Sequence, residues 1–188
     1  PGYGGELGLG DSFSRSTFTK VTVPINAKWT AIAVGDFHSL ALSGTDLYTC
    51  GGNANAVLGF GDAVHRSTFT KVTVPVNAKW TAIAAGGDCS YALSGTDLYV
   101  CGQYPFSSSN TATFTKIGGN WTSVVNGDNH SFALSGNDLY ASGLNPYGAL
   151  GLGDTSHQIG VAVKVNGKWN AASAGVWSSS ALSGADLY

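Results

Sequence analysis

The sequence predicts an all-β protein built from β-propeller blades, each a sheet of four antiparallel strands, with about four repeats present. The stretch from Lys28 to Tyr48 recurs three more times, and the tryptophans that open the four copies are 51, 41 and 48 residues apart. Self-similarity at this period is typical of repeat architectures. Apolar and polar residues alternate with a period of two, which indicates strands. The frequent glycines, 27 of 188 residues, argue against helical repeats.

Each repeat carries segments for about four strands. In the first copy, Trp29–Val34 has few polar residues and is predicted to be buried on both faces; Ser39–Leu42 and Leu47–Cys50 follow it, joined by a hairpin turn at 43–46 in which Gly44 can take a positive φ. A Thr-rich alternating segment supplies the remaining strand, and its four versions are Arg15–Pro24, the identical Arg66–Pro75, Thr113–Ile117 and Val161–Val165. We therefore predict one repeat domain, 1–188, with approximate units 1–48, 49–99, 100–140 and 141–188.

Loops that alternate glycine with leucine or phenylalanine precede three of these strands, at 7–11, 57–62 and 149–154. The aspartate that ends each loop is expected to accept hydrogen bonds from nearby backbone amides, as aspartate does in turns. The third unit has Gln103–Asn110 instead. Its residues Tyr104, Pro105 and Phe106, together with the extra tryptophan Trp177, are the candidate interaction loop residues.

These repeats resemble the regulator of chromosome condensation repeat family over the whole chain. The matching motifs are Leu7-Gly-Leu-Gly-Asp11, Trp29-x-x-Ile-Ala-x-Gly35, His38-Ser-Leu-Ala-Leu42 and Leu47-Tyr-x-Cys-Gly51. The resemblance implies a propeller, which in this family usually has seven blades. Four copies are too few for that ring, so we expect a partial propeller or part of a larger or two-chain ring. The family usually has tryptophan where this sequence has Cys50, Cys101 and Ser142, and the histidine of the His-Ser pair is replaced by Cys89 and Ser178.

The sequence offers no constellation for catalysis, and we predict a protein that is not an enzyme, with no cofactor and no metal. His38 and His130 recur at one repeat position where Cys89 and Ser178 also occur, which favours a structural role. The three cysteines are predicted to be small buried hydrophobic residues. We assign the structural repeat core to Trp29, Trp80, Trp121, Trp169, His38, His130, Gly35, Gly86, Gly127 and Gly175.

Composition limits the classes of partner. The net charge is −2, with no basic stripe for nucleic acid and no apolar run long enough to span a membrane. The predicted function is a non-catalytic module for protein–protein interaction or scaffolding, with a protein partner or self-association through open blade edges. We expect it to be a segment of a larger surface or extracellular protein, by analogy with Thr- and Gly-rich arrays.

Two alternatives to this interaction module stay open. One is a carbohydrate-binding, lectin-like propeller. Trp177 would be its aromatic contact, but its counterparts in the other repeats are Phe37, Asp88 and Asn129 rather than a repeated aromatic residue. The other is the guanine-nucleotide exchange activity known from the founding member of the family. The sequence shows neither an inserted wedge nor a basic tail that would support that activity.

Overall fold

The computed structural model describes residues 4–24, 26–75, 77–103 and 110–188, and in these residues it contains four antiparallel sheets and no helix. No segment of them forms a helix long and apolar enough to cross a membrane. The first sheet consists of β1 (Trp29–Val34), β2 (His38–Ser43), β3 (Asp46–Gly51) and β4 (Arg66–Lys71). The second consists of β5 (Trp80–Ala85), β6 (Cys89–Ser94), β7 (Asp97–Gly102) and β8 (Thr111–Gly118). The third consists of β9 (Ser123–Asn126), β10 (His130–Ser135), β11 (Asp138–Gly143) and β12 (Gln158–Lys164), and the fourth of β13 (Ala171–Ala174), β14 (Ser179–Ser183) and β15 (Asp186–Leu187).

Neighbours in the sequence are neighbours in each sheet, so every sheet is a simple up-and-down meander. Two-residue loops join the second and third strands, with Ser43 paired to Asp46 in the first sheet. Gly44 takes φ +60° there, and an added Cβ would meet no atom within 4 Å, so the backbone conformation rather than space favours glycine. The predicted all-β class and blade-like strand pattern are confirmed.

Successive sheets stack along the chain through their first strands. The strand β5 packs against β1 and β2, β9 packs against β5 and β6, and β13 packs against β9 and β10. The apolar core lies between the sheets; for example, Leu40 and Leu47 of the first sheet cluster with Trp80 and Phe114 of the second. The ends of these first strands come so close that a Cβ added to Gly35, directly after β1, would lie 2.2 Å from the carbonyl oxygen of Gly86, directly after β5.

The sheets have two distinct edges, which we name the upper and lower faces. The upper face carries the turns between the first and second strands and the long loops after the third strand. The lower face carries the two-residue hairpins and the connections to the next sheet. Each complete sheet closes its lower edge with an ion pair between the hairpin aspartate and a lysine of the fourth strand, namely Lys71–Asp46 at 2.7 Å, Lys116–Asp97 at 2.8 Å and Lys164–Asp138 at 2.8 Å.

Two expectations about single strands are wrong. The strand β1 is not buried on both faces, because Ile32 is 76% and Val34 68% exposed on the side that has no sheet against it in the described residues. The segment Arg15–Pro24 forms no strand, although the identical segment Arg66–Pro75 contains β4, which pairs with β3. A fourth strand needs the third strand of its own sheet, and among the described residues none lies beside Arg15–Pro24.

The sheets are also offset from the sequence units. Each complete sheet begins in one unit and takes its fourth strand from the next, as the first sheet does with β4. Only three strands of the fourth sheet are found in the described residues.

Candidate interaction face

The upper face collects connections from all four sheets. Because antiparallel strands alternate in direction, the turn after the first strand and the loop after the third strand emerge at the same edge. The turns are at 35–37, 86–88, 127–129 and 175–177, and the long described loops are at 52–65 and 144–157. This face therefore presents irregular, solvent-accessible segments on a rigid stack of sheets, which is where binding residues are commonly found.

Three consecutive turns carry an aspartate toward one another on the upper face: Asp36, Asp88 and Asp128. Burial, and next the negative charge of Asp36, raise the pKa of Asp128, and Asp88 adds to this effect. Asn55 donates a hydrogen bond from Nδ2 to Asp88 Oδ1 at 2.6 Å, which orients the Asp88 carboxylate. We name Asp36, Asp88 and Asp128 the acidic mouth. This part of the upper face is therefore negatively charged, and the sequence analysis did not identify it. The recurrence of one aspartate in each of three equivalent turns was the available signal.

Aromatic residues lie at the end of the same face. Trp177, in the turn of the fourth sheet, meets Tyr147 edge to face with ring centroids 5.7 Å apart. Both side chains are exposed, Tyr147 to 74% and Trp177 to 46%, and Phe37 in the first turn is exposed to a similar extent as Trp177. The structure therefore places the predicted interaction residue Trp177 on the upper face, beside a tyrosine that the sequence analysis missed.

The other predicted loop residues, Tyr104, Pro105 and Phe106, lie outside the described residues. Gln103, which directly precedes them, lines a depression on the upper face together with Asp88, Asp128 and Asn129.

Buried asparagines hold the long loops in shape. Asn53 accepts a hydrogen bond from Leu58 N at 2.9 Å and donates to the Asp62 carbonyl oxygen at 2.8 Å. Asn145 makes the same pair of contacts with Leu150 and Asp154 in the third sheet. The signal for this role was an asparagine nine residues before the loop aspartate in both repeats.

The loop aspartates behave as predicted. Asp11, Asp62 and Asp154 each accept a hydrogen bond from the amide two residues later, at 2.9–3.0 Å. Hydrogen bonding to the Arg66 guanidinium, more than any other contact, lowers the pKa of Asp62 to about 2. His65 and His157 are exposed, and each accepts a backbone hydrogen bond at 2.8 Å from the buried asparagine of its loop.

The recurring histidines join neighbouring sheets beneath the upper face. His38 Nε2 lies 2.8 Å from Ser90 Oγ of the second sheet, and His130 Nε2 lies 2.8 Å from Ser179 Oγ of the fourth. Ser90 donates to the Val57 carbonyl oxygen at 2.8 Å, so its oxygen is left to accept from His38 Nε2–H. Burial lowers the pKa of His38 to about 4 and also lowers the pKa of His130. Both rings are thus neutral cross-links at neutral pH.

The second sheet replaces the histidine with Cys89, whose thiol accepts a hydrogen bond from Asn126 Nδ2 at 2.9 Å. All three cysteines are free and buried, as predicted, and burial raises the pKa of Cys50 and of Cys89 to about 12. In the described part of the chain, no group of three or more His, Cys, Asp or Glu side chains could hold a metal ion.

The four tryptophans occupy equivalent positions at the lower edge. Each meets a tyrosine of its own repeat edge to face, with ring centroids 5.2–5.4 Å apart, in the pairs Trp29–Tyr48, Trp80–Tyr99, Trp121–Tyr140 and Trp169–Tyr188. Among the four, only Trp80 is buried.

The predicted core glycines lie directly after the first strands, where neighbouring sheets approach each other closely. A Cβ added to Gly86 would lie 2.0 Å from the Gly127 carbonyl oxygen, and one added to Gly127 would lie 2.2 Å from the Gly175 carbonyl oxygen. At Gly175 the nearest atom would be 3.2 Å away.

The stacked antiparallel meanders, with their long loops on the upper face, define this chain as an array of propeller blades. The family model of the regulator of chromosome condensation (RCC1) repeat matches residues 46–93, which confirms the resemblance seen in the sequence. No curated protein sequence matches the chain.

Several solved structures share this fold. Prp20p from Saccharomyces cerevisiae matches with a TM-score of 0.71 at 23% identity, over 83% of this chain and 44% of Prp20p. Human WBSCR16 matches with a TM-score of 0.57 at 17% identity, over 93% of this chain and 65% of WBSCR16. The ectodomain of the Physcomitrella patens receptor kinase CR4 matches with a TM-score of 0.59 at 18% identity, over 93% of this chain and 43% of the CR4 chain. The chain spans less than two thirds of each of these proteins, and at these identities the similarity shows the fold alone.

Proposed function

We propose that this chain is a non-catalytic protein-binding module whose upper face binds a cationic, partly apolar segment of a partner protein. The observation that carries the proposal is the joint presence of the acidic mouth, formed by Asp36, Asp88 and Asp128, and the exposed Trp177–Tyr147 pair on one face.

Charge and shape support this choice of partner. Burial, and next the negative charge of Asp36, raise the pKa of Asp128, so a cation bound beside this carboxylate would stabilise its charged form and relieve the repulsion between the aspartates. Tryptophan and tyrosine supply large contact areas and are enriched among the residues that dominate binding energy. An exposed aromatic pair can also receive a lysine or arginine through a cation–π contact.

The test uses synthetic peptides of equal length in which one aromatic residue is surrounded by Lys/Arg, by Asp/Glu or by uncharged residues. Binding is measured by fluorescence anisotropy at about 50 and about 300 mM salt. The cationic peptides should bind in preference to the others, and more weakly at high salt because exposed charges are screened. The proposal fails if no peptide of the cationic set binds, or if binding does not depend on charge.

Variants of the upper face make the test specific. The triple variant Asp36→Asn, Asp88→Asn, Asp128→Asn should abolish the preference for cationic peptides, and Trp177→Ala should weaken binding at least about tenfold. Asp97→Asn removes a carboxylate of the lower face and should leave binding unchanged. Equal effects of the upper and lower substitutions would contradict the assignment of the face.

Carbohydrate binding is the second candidate, because the exposed Trp177–Tyr147 pair offers an aromatic surface of the kind that sugars stack on. The equivalent turns carry Phe37, Asp88 and Asn129, so one subsite rather than a repeated platform would result. Binding on a glycan array that is lost in Trp177→Ala would favour this function over the first.

Guanine-nucleotide exchange is a weaker candidate. Prp20p is described as binding Gsp1p and histones. The fold similarity alone connects this chain with Prp20p, and no residue of the upper face can be matched to an exchange function. This candidate function is excluded if the protein does not accelerate nucleotide release from small GTPases.

A scaffold role in a larger surface or extracellular protein belongs to the same proposal. Its support is the low charged fraction, 11%, and the repetition of near-identical units. Accessibility of the protein to protease on intact cells of its source tests the location.

A further inference from the structure

The depression on the upper face lies where the second and third sheets meet, and its volume is about 240 Å³. The second sheet contributes Asp88 and Gln103 to its lining, and the third sheet contributes Asp128, Asn129, Gly143, Leu144 and Ile159. Sites that enclose a whole small molecule commonly measure about 300–1,000 Å³. The size of the depression therefore suits one long side chain of a partner.

Backbone hydrogen bonds hold both halves of the depression. Gln103 N donates to the Asp88 carbonyl oxygen at 2.7 Å, and Leu144 N donates to the Asn129 carbonyl oxygen at 2.9 Å. Each bond joins a turn of the upper face to the segment that follows the third strand of the same sheet. The lining side chains are therefore carried by backbone that the sheets fix in place.

The polar side chains of the depression have oxygen atoms to spare. Asn129 Nδ2 donates to Asp128 Oδ2. Gln103 Nε2 donates to Asn55 Oδ1 at 3.3 Å, and Asn55 Nδ2 donates in turn to Asp88 Oδ1. Within the described residues, no donor bonds the amide oxygens of Gln103 and Asn129 or the second carboxylate oxygen of Asp88. The depression can therefore accept several hydrogen bonds from a group that is rich in N–H donors.

Charge and apolar surface narrow the choice of that group. The charged side chains that line the depression in the described residues are both negative, Asp88 and Asp128, and Leu144 and Ile159 add apolar walls. A guanidinium carries five N–H donors in a planar fork and no acceptor, whereas an ammonium is a point charge with three donors. The methylene groups of arginine also pack well on apolar surface. Arginine therefore matches the lining better than lysine does.

We propose that the depression binds one arginine side chain of the partner, with the guanidinium between Asp88 and Asp128 and the methylene groups against Leu144 and Ile159. This inference rests on the proposed peptide binding and makes it more specific, because one cation of the partner segment must be arginine. Asp36 does not line the depression, so it attracts cations without distinguishing arginine from lysine.

The first test measures the choice between cations by fluorescence anisotropy. The host peptide has one aromatic residue flanked by lysines, and each lysine is replaced in turn by arginine or by citrulline, which keeps the shape of arginine without its charge. EDTA is present so that no metal ion mediates binding. At one position arginine should bind at least about tenfold more tightly than lysine or citrulline. Equal affinities for arginine and lysine at every position would overturn the arginine site and leave the proposed peptide binding intact.

Variants separate the depression from the rest of the acidic mouth. Asp88→Asn and Asp128→Asn should each remove most of the preference for arginine over lysine. Asp36→Asn, the matched control, should weaken both peptides and keep their ratio. Ile159→Thr should weaken the arginine peptide by about threefold through lost apolar contact. Val161→Thr, at an exposed residue of the same strand, should leave its affinity unchanged. A ratio that falls equally in Asp36→Asn and Asp128→Asn would contradict the proposal.

Capped arginine gives a readout that does not depend on the peptides. N-acetyl-arginine N-methylamide is added to about 20 mM, because a single side chain binds with millimolar affinity at best, and backbone amide shifts are followed by NMR. Shifts should be largest at Asp88, Gln103, Asp128 and Leu144, and larger than with the lysine analogue. Such shifts without binding of any cationic peptide would refute the peptide-binding function and support the arginine site. Absence of arginine-specific shifts at these four residues would overturn the arginine site.

Discussion

Trp29 and Trp80 form a matched pair that isolates the contribution of packing between sheets. Both lie in the sequence Ala-Lys-Trp-Thr-Ala-Ile-Ala, and both contact a tyrosine and a phenylalanine of their own sheet at centroid distances of 5.2–5.4 Å. They differ in what covers them. Trp80 is only 3% exposed because the first sheet packs against it, whereas Trp29 is partly exposed.

The substitution Trp80→Ala should therefore destabilise the protein by about 3–5 kcal/mol, the usual range for a buried aromatic residue. Trp29→Ala should destabilise the protein by about 1 kcal/mol less, because part of the Trp29 side chain is already exposed. Roughly a quarter of a side-chain area of about 200 Å², at about 25 cal/mol per Å², corresponds to that difference. Trp169→Ala, at the open fourth sheet, should resemble Trp29→Ala.

The free energy of unfolding is measured by urea denaturation followed by far-UV circular dichroism. Circular dichroism is preferred because the substitutions remove the fluorescent side chains. Equal losses for Trp29→Ala and Trp80→Ala would refute the reasoning, because identical local contacts would then account for the whole effect.

Three further predictions concern the interior. His38 has a folded-state pKa of about 4, below its reference value of 6.5, so the unfolded chain takes up the proton first and stability should fall by up to about 3 kcal/mol between pH 6.5 and 4; His38→Gln should flatten this slope in urea titrations. Gly127→Ala should lower the melting temperature far more than Gly175→Ala, because only the first places a Cβ 2.2 Å from a carbonyl oxygen. Asn53→Ala leaves the buried Leu58 amide without its acceptor and should cost about 1–3 kcal/mol in the same denaturation assay.

The sequence was sufficient to predict the strands because local patterns determine them. Period-two alternation and glycine at positive φ gave β2 and β3 within one residue at each end, and repetition extended the assignment to the other sheets. The errors at β1 and Arg15–Pro24 arose because burial and strand pairing depend on a neighbouring sheet. Identical sequences at 15–20 and 66–71 have different structures because only the second lies beside a third strand.

The candidate face was harder to predict than the fold. Trp177 was found because it interrupts the repeat, but Tyr147 and the acidic mouth come together only through the stacking of turns far apart in the sequence. The roles of Asn53 and Asn145 were missed for a related reason: each contacts loop atoms five to nine residues away, which alternation and glycine positions do not reveal.

The central claim, that partners bind at the upper face, is tested most directly by hydrogen–deuterium exchange with and without the tightest-binding cationic peptide. The account predicts slower exchange in the upper turns at 35–37, 86–88, 127–129 and 175–177, with no change in the lower hairpins at 43–46 and 94–97. Protection confined to the lower hairpins or to the exposed strand β1 would contradict the claim and would place the binding surface elsewhere on the stack.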